Sequence, residues 1–278
     1  MERIKQAIEK AKSQHTSADN QLAQLSLDGA AVAQHPAQAQ EELELVSYKR
    51  TRVVKLDPKH LENSRVVAFN KSDPKCMTFD ILRTHVLQKM KENSWRTLAI
   101  TSPTPEAGKT VVAINLAMSI AQQASKTAML VDFDLRRPKV GTYLGIPMEM
   151  SLNDYLEGSA QLPEVLVNPD IPRLVVLPTR SPVKKSSETL SSKKISELIK
   201  EMRERYESRI VIFDLPPLLV IDDAIALLPQ IDCVLMVVAN GMSNRREIED
   251  ALRYLPADKL IGVILNKAEI DSPGNYYY

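Results

Sequence analysis

The sequence predicts an α/β protein with a doubly wound, mostly parallel sheet, of the P-loop NTPase type found in partition ATPases. Short apolar stretches that suit buried strands alternate with stretches of helical spacing from residue 78 onwards. The segment LAITSPTPEAGKTVVAIN, residues 98–115, leads from an apolar strand through a Ser/Pro-rich loop into a helix. Two later strands end in carboxylates, with Asp132 and Asp134 at the end of the first and Asp214 at the end of the second. Right-handed crossovers bring the carboxyl ends of such strands to one edge of the sheet, where ligands bind.

The composition fits one large or two modest domains and argues against several kinds of partner. The 278 residues carry 36 basic and 35 acidic side chains, so no overall field favours nucleic acid. Apolar stretches reach only about 7–9 residues, whereas a membrane-spanning helix needs ~20. Cys76 and Cys233 match no metal or redox spacing, which fits a reducing compartment. We therefore expect a cytoplasmic protein with no membrane span of its own and no nucleic acid partner.

The first 74 residues are predicted to form an N-terminal extension. Residues 1–14 have amphipathic spacing, which suits either docking to a partner or membrane surface, or a frayed helix in a tail. Residues 15–45 are rich in Ala, Gln and Ser, as in a poorly ordered linker. Two short β-like pieces follow, at Arg52–Leu56 and Arg65–Phe69. The chain is thus divided into the extension (1–74), a P-loop domain (75–270) and a C-terminal tail (271–278).

Within the P-loop domain, hydrophobic spacing predicts six strands and five helices. Strands are predicted at Trp95–Thr101, Ala128–Asp134, Leu174–Leu177, Ile210–Leu215, Cys233–Ala239 and Leu260–Asn266. Helices are predicted at Thr78–Met90, Thr110–Gln123, 186–206, Asp222–Leu228 and Arg245–Tyr254. The helix that follows Gly-Lys-Thr is nearly all apolar, so we expect it to be buried on most sides.

The Gly-Lys-Thr sequence is the centre of a predicted phosphate-binding loop. Backbone N–H groups and the dipole of the following helix favour phosphate there, and Gly108 would let the backbone approach closely. Lys109, expected on an exposed loop, would reach the β- and γ-phosphates, and the Thr110 hydroxyl would hold Mg²⁺. The full pattern has glycine where this chain has Pro103, and Glu106 brings a carboxylate into a loop meant for anions. The predicted nucleotide contacts are Thr104, Pro105, Glu106, Ala107, Gly108, Lys109, Thr110, Val111 and, at the end of the last strand, Asn266.

Three aspartates follow buried strands, at positions 132, 134 and 214. A carboxylate at the end of a buried strand is costly unless it is paired or bound to a metal. Helix capping would account for one of them, but hardly for three. We predict that Asp132 and Asp214 join Thr110 around Mg²⁺, and that Asp132 and Asp134 act with Lys109 in catalysis.

With these residues in view, the chain resembles the bacterial tyrosine kinases (BY-kinases), P-loop kinases associated with exopolysaccharide and capsule synthesis. The resemblance extends from about Phe79 to the C-terminus. It rests on SPTPEAGKT (Walker A), the downstream Asn115-Leu116-Ala117, MLVDFDLRRP (Walker A′), VIFDLPP (Walker B) and the tyrosine cluster Tyr276, Tyr277 and Tyr278. The EKAK-type N-terminal helix and FDILRTHVLQKM are similar to the autokinases of exosortase-linked polysaccharide loci.

The resemblance implies an ATP- and Mg²⁺-dependent protein-tyrosine autokinase that regulates exopolysaccharide synthesis or export. It implies that Asp132 lies near the metal and the acceptor hydroxyl, and that Tyr276–Tyr278 are phosphoacceptors offered to a neighbouring subunit. The family's kinases of this size depend on a separate activator, here a membrane-bound polysaccharide co-polymerase that would recruit the chain to the inner face of the membrane. A homo-oligomer is also implied, although the family's E-x-x-R-x-x-R helix retains only Arg83 here.

Two other functions remain open at this point. A nucleotide switch of the partition or cell-division type has the same fold, but it needs a second lysine early in the loop, where this chain has Thr104. A pseudo-kinase scaffold that binds nucleotide weakly would fit Pro103 and Glu106. Phosphorylation of tyrosine by the purified protein with Mg-ATP would separate the autokinase from both.

Overall fold

A computed structural model describes residues 51–268 of the chain. The predicted N-terminal helix, the linker and the three C-terminal tyrosines lie outside the described residues. The strands are β1 (Arg52–Val53), β2 (Thr97–Thr101), β3 (Thr127–Asp132), β4 (Val167–Asn168), β5 (Leu174–Leu177), β6 (Arg209–Asp214), β7 (Cys233–Ala239) and β8 (Leu260–Asn266). The α-helices are α1 (Pro58–Asn63), α2 (Pro74–Glu92), α3 (Lys109–Ala121), α4 (Val140–Leu144), α5 (Leu152–Glu157), α6 (Leu162–Val165), α7 (Ser186–Leu190), α8 (Lys193–Glu204), α9 (Asp223–Leu227) and α10 (Arg245–Leu252).

The eight strands form one sheet in the order β1-β4-β5-β3-β6-β2-β7-β8. Every neighbouring pair is parallel except β4 and β5. Strands β3 and β6 lie side by side in the middle, and their register sets Asp132 directly opposite Asp214. The prediction of a mostly parallel α/β sheet is confirmed, and the two aspartates meet at its carboxyl edge.

The core has two halves, one on each face of the sheet. Alternation along a strand sends Leu130 and Ile212 to one face and Val131 and Phe213 to the other. Helix α3 fills the first face, and all of its residues except Val111 are buried, as its apolar sequence predicts. Both faces of the central strands are therefore covered, which explains their continuous apolar runs.

The region before α2 differs from the prediction. Only Arg52–Val53 of the first β-like piece forms a strand, and the second piece is a loop. That loop is held by Asn115, whose Oδ1 accepts the backbone N–H groups of Val67 (2.8 Å) and Ala68 (2.9 Å). Its β-like composition reflects burial rather than pairing, because Val66 and Ala68 pack into the core beside α3. Residues 52–68 thus share the sheet and core with the later part of the chain, whereas the three-part division of the chain stays a prediction.

The other differences concern short helices, one break and the ends of several elements; strand β3, for example, ends at Asp132 rather than Asp134. The predicted helix over 186–206 is two helices, because Ser192 caps α8 and accepts the Ile195 N–H on its Oγ. Helices α1, α4, α5 and α6 and the two-residue strand β4 were not predicted, since each is too short to show a full period. Among residues 51–268, no helix has both the length and the apolar character needed to cross a bilayer.

Candidate functional site

The loop between β2 and α3 is shaped by Gly108 and braced from the far edge of the sheet. Gly108 has φ +89°, a left-handed conformation that glycine adopts without strain. A Cβ at this position would collide with the side chain of Asn266, whose Nδ2 donates to the Ala107 carbonyl at 2.8 Å. Asn266, a predicted nucleotide contact, thus lies beside the loop, and the contact that the structure shows is with the loop backbone.

Lys109 is the first residue of α3, and its ammonium group lies between two carboxylates. Its Nζ is 2.8 Å from Asp134 Oδ2 and 3.3 Å from Asp214 Oδ1. The residue is only 9% exposed, so the expectation of a lysine on an exposed loop is wrong. The reason is its place at the helix start, which directs the side chain across the strand ends of β3 and β6.

Thr110 and Asp132 complete the cluster at the carboxyl edge. The Thr110 hydroxyl donates to Asp214 Oδ2 at 2.7 Å. Asp132 Oδ2 accepts the backbone N–H groups of Lys139 (3.0 Å) and Val140 (2.9 Å). Its other oxygen, Oδ1, is buried and has no hydrogen-bond partner among the described residues. Such an orphaned acceptor is costly, and it marks a place where a cation or a proton would be stabilised.

The electrostatics of this cluster follow from burial and from the excess of carboxylates over cations. Burial raises the pKa of the Asp132 carboxyl well above its usual range, and the neighbouring Asp214 raises it further. Burial also raises the pKa of Asp214, against the opposing effect of Lys109. Burial alone would lower the pKa of the Lys109 ammonium, but Asp214 and Asp134 outweigh it and hold that pKa above its usual range. The site therefore has one cation, Lys109, for three buried carboxyl groups, those of Asp132, Asp134 and Asp214.

The donor set fits Mg²⁺. Two carboxylates (Asp132, Asp214) and one hydroxyl (Thr110) are the hard oxygen ligands that this ion prefers, and the orphaned Asp132 Oδ1 is one of them. Within residues 51–268, no group of three or more His, Cys, Asp and Glu side chains is arranged to hold a metal ion. Mg²⁺ usually takes one or two protein carboxylates and completes its shell with water and substrate phosphates.

The remaining predicted contacts vary in exposure along the loop. Ala107 is buried, Thr104 and Val111 are half-buried, and Pro105 and Glu106 are exposed. Pro103 is buried, and its carbonyl accepts the Leu219 N–H at 3.1 Å, so it docks the loop onto the segment after β6. Glu106 has φ +62°, a left-handed backbone conformation that glycine adopts with less strain than glutamate.

Glu106→Gly should increase the free energy of unfolding by roughly 0.5–1 kcal/mol, because it relieves a left-handed glutamate at some entropic cost. It should also tighten ATP binding, since a carboxylate near triphosphate repels it, but only severalfold because Glu106 faces solvent. Thermal unfolding and calorimetry measure the two effects.

Glu106→Gln is the matched control, because it removes the charge and keeps the side chain on the strained backbone. It should share the gain in affinity without the gain in stability. Equal stability of the two variants would contradict the backbone argument, and unchanged affinity in both would contradict the charge argument.

Sequence reasoning did not find the second loop that lines this site. The segment after β5 lies beside the segment after β3: Thr179 Oγ1 donates to the Asp132 carbonyl at 2.7 Å, and Arg136 Nε donates to Ser186 Oγ at 3.0 Å. Arg136 also lies 3.6 Å from the buried Asp223. No spacing signal connects these residues, because their proximity depends on β3 and β5 being neighbours in the sheet.

Arg83, the one residue of the oligomerisation pattern that this chain retains, forms its contacts with residues of the same chain. Its Nη1 is 2.8 Å from Asp80 Oδ1 and 3.2 Å from both the carbonyl and the hydroxyl of Ser119. Asp80 Oδ1 also accepts the Ser119 hydroxyl at 2.6 Å. This network holds α2 against α3.

Comparisons with known proteins agree with this geometry. A family model described as an AAA domain matches residues 95–253. The tyrosine-protein kinase CpsD of Streptococcus pneumoniae serotype 4 is 32% identical over 178 residues, which cover 63% of this chain and 77% of that protein. The kinase domain of Escherichia coli tyrosine kinase ETK has a TM-score of 0.68 at 25% identity, covering 88% of this chain and 99% of that one.

The fold is also shared with a different functional class. A ParA family ATPase from Chlorobium tepidum TLS has a TM-score of 0.52 at 20% identity, covering 62% of this chain and 74% of that chain. This likeness shows the fold alone.

Proposed function

Since this chain belongs to the bacterial tyrosine-protein kinases, the BY-kinase family, we propose that it transfers the γ-phosphoryl group of ATP to tyrosines 276–278 of its C-terminal tail. The observation that carries the proposal is the cluster of Lys109, Thr110, Asp132, Asp134 and Asp214 at one edge of the sheet. Phosphoryl transfer needs positioning and charge neutralisation more than covalent chemistry, and this cluster offers both.

Each residue has a proposed task in the transfer. Backbone N–H groups of the loop and the start of α3 bind the phosphates, and Lys109 releases Asp214 and contacts the β- and γ-phosphates. Asp134 then positions Lys109, to which it is bound at 2.8 Å. Thr110, Asp132 and Asp214 would hold Mg²⁺, which supplies charge neutralisation on the phosphates when bound.

Asp132 is the proposed acceptor of the tyrosine proton. The tyrosine oxygen forms the new bond to the γ-phosphorus, the bond from that phosphorus to the β–γ bridging oxygen breaks, and ADP leaves. The phenolic proton passes to the orphaned Oδ1 of Asp132, a carboxylate oxygen that has a second lone pair besides the one offered to Mg²⁺. Its Oδ2 stays fixed by two backbone N–H groups, so the carboxylate cannot turn away.

One residue argues against the alternative of a partition-type ATPase. The loop of that class requires an early lysine, and this chain has Thr104 there, whose carbonyl accepts the Ser102 hydroxyl at 2.7 Å.

The proposed cellular setting is the cytoplasm, at the inner face of the membrane. There a membrane-bound polysaccharide co-polymerase would activate the chain and couple it to exopolysaccharide synthesis, and neighbouring subunits would exchange tails.

A mixing experiment tests transfer between chains. A Lys109→Ala chain, unable to use ATP, is mixed with an active chain that lacks residues 271–278, and label from γ-labelled ATP is followed. We expect label on the tail of the Lys109→Ala chain. Label that appears only when site and tail share one polypeptide would contradict transfer in trans, and labelling that survives Phe at all three tyrosines would exclude the tail as substrate.

A further inference from the structure

Two loops at the carboxyl edge of the sheet carry a concentration of positive charge that the proposed chemistry does not use. The segments LRRPK (135–139) and PTRSPVKK (178–185) contain six basic residues and no acidic one. Arg180 turns to Asp154 and the Glu149 carbonyl, at 3.2 and 2.9 Å. The other five form what we term the basic rim: Arg136, Arg137, Lys139, Lys184 and Lys185.

The two loops form one continuous surface. The Val183 N–H donates to the Leu135 carbonyl at 2.8 Å, and Arg136 Nε reaches Ser186 Oγ at 3.0 Å. All five side chains of the basic rim are exposed. The charges therefore act on the same volume of solvent rather than on separate faces of the molecule.

Most of this charge is available to a ligand. In the part of the chain that the structure describes, Arg137, Lys139 and Lys184 have no ion-pair partner within 4.0 Å. Lys185 faces Glu188 at 3.6 Å, but both are largely exposed and such a pair is weak. Arg136 is held through Nε, which leaves its two terminal nitrogens without a described partner.

The basic rim begins at the reacting centre itself. The backbone N–H of Arg137 donates to Asp134 Oδ1 at 3.0 Å, and that of Lys139 donates to Asp132 Oδ2 at 3.0 Å. A tyrosine that enters the centre therefore brings its sequence neighbours to the rim, since successive residues of an extended chain are only ~3.3 Å apart.

We propose that the basic rim binds phosphotyrosine side chains of the tail, so that a tyrosine already phosphorylated is held while its neighbour enters the centre. This rests on the proposed function and adds to it an order of events. Residues 269–278 contain two acidic side chains, no basic one and three consecutive tyrosines. Each transfer adds roughly −1.5 to −2 charge, and arginine and lysine are the usual partners of such a group.

The consequence is that the first product is also a better ligand than the original tail. The carboxylates of Asp132, Asp134 and Asp214 repel a new phosphate from the centre, while the rim attracts it at the centre's edge. A phosphorylated tail thus moves along the edge without leaving it, and the doubly and triply phosphorylated forms are favoured over the singly phosphorylated one.

Peptide binding tests the proposal without any need for catalysis. The full chain, dephosphorylated by a phosphatase and kept free of nucleotide, is titrated into a labelled decapeptide of residues 269–278, with or without phosphate on Tyr277. Fluorescence anisotropy at low ionic strength should show binding at least about tenfold tighter for the phosphopeptide.

The triple variant Arg137→Gln/Lys184→Gln/Lys185→Gln should lose this preference for the phosphopeptide. Its control, Lys75→Gln/Lys91→Gln/Lys200→Gln, removes the same charge from exposed helix positions and should keep it.

Two peptide-binding results would overturn the proposal. One is equal affinity for the two peptides; the other is an unchanged phosphopeptide preference in the rim variant. If the rim variant instead loses binding to vesicles containing phosphatidylserine and keeps the peptide preference, the rim is a membrane surface. Mass spectrometry of ATP-treated chains separates this failure from that of the kinase proposal. No phosphotyrosine at all contradicts the kinase, whereas a rim variant that reaches the triply phosphorylated form as readily as wild type contradicts only the rim.

Discussion

Lys109→Ala should abolish transfer from ATP to tyrosine, with a loss of at least about 10³-fold, because one fixed cation both binds the phosphates and offsets charge that develops on them. Its Nζ is the cation that the structure places between Asp134 and Asp214, where the phosphates would approach. Incorporation of labelled γ-phosphate, followed over time, measures the effect. Undiminished incorporation would refute the assignment.

The same substitution should destabilise the protein, since it leaves buried carboxylates without their cation, at a cost on the order of 3–5 kcal/mol. A control is needed to separate a dead site from an unfolded chain. The double variant Lys109→Ala/Asp134→Asn removes the ammonium group together with the negative charge of Asp134, which the single variant would leave unpaired. It should recover much of the stability, measured by thermal unfolding, and none of the activity. Recovery of activity along with stability would show that Lys109 is structural.

Asp132→Asn should lower the transfer rate by at least about 10²-fold, the scale of a positioned proton acceptor, while keeping the shape of the side chain. The amide oxygen can still accept the N–H groups of Lys139 and Val140, so the loop after β3 stays in place. What is lost is the charge on the orphaned Oδ1. Single-turnover labelling at saturating Mg-ATP measures the chemical step, and wild-type turnover would make Asp132 a cap rather than a catalyst.

Asp132→Asn should also make the nucleotide-free protein more stable, by about 1 kcal/mol at neutral or higher pH. The pKa of Asp132 is raised in the folded state, so its stabilising contribution is complete below the ordinary carboxyl pKa of 3.8 and is lost as pH rises through the raised pKa. Asparagine has no such loss. The stability difference between variant and wild type should therefore grow with pH and vanish in acid. A difference that does not change with pH would contradict this origin.

Asp232→Asn is a matched control at the opposite edge of the sheet. Asp232 Oδ2 also accepts two backbone N–H groups, from Arg96 (2.8 Å) and Thr97 (3.0 Å), and the carboxylate pairs with Arg203 at 3.2 Å. It has no role in the proposed chemistry. Its substitution should leave transfer unchanged and lower stability, the opposite of Asp132→Asn on both measures.

Much of the site could be predicted because its residues mark the ends of strands. Lys109 and Thr110 begin the helix that follows β2 and its loop, and Asp132 and Asp214 close two apolar runs, so a parallel sheet must bring them together. The sequence also predicted the bounds of β5, β7 and β8 correctly, since each is a continuous apolar run between polar residues. These patterns lie within short stretches of sequence, so they can be recognised without knowledge of the tertiary structure.

The rest depends on contacts between distant segments. Lys109 is buried because its side chain lies across the ends of β3 and β6, between Asp134 and Asp214, which no pattern around residue 109 reveals. The Arg65–Phe69 segment has strand-like composition, yet its N–H groups bond to the side chain of Asn115. The loop after β5 reached the site only because β5 pairs with β3. In each case the tertiary neighbour, rather than the intrinsic propensity, decided the outcome.

The contact between Asn266 and the Ala107 carbonyl would link the proposed nucleotide binding to the fraying of an edge strand. Among residues 51–268, β8 is the last strand of the sheet and pairs only with β7, and such strands open locally at a lower free energy than the centre of a sheet. Each time the last residues of β8 open, the side-chain amide of Asn266 loses its 2.8 Å hydrogen bond to the Ala107 carbonyl. The apparent affinity for nucleotide would then be the intrinsic affinity multiplied by the fraction of molecules in which β8 is closed. Hydrogen exchange at the backbone amide of residue 266 and the dissociation constant for nucleotide would therefore report the same opening equilibrium of β8.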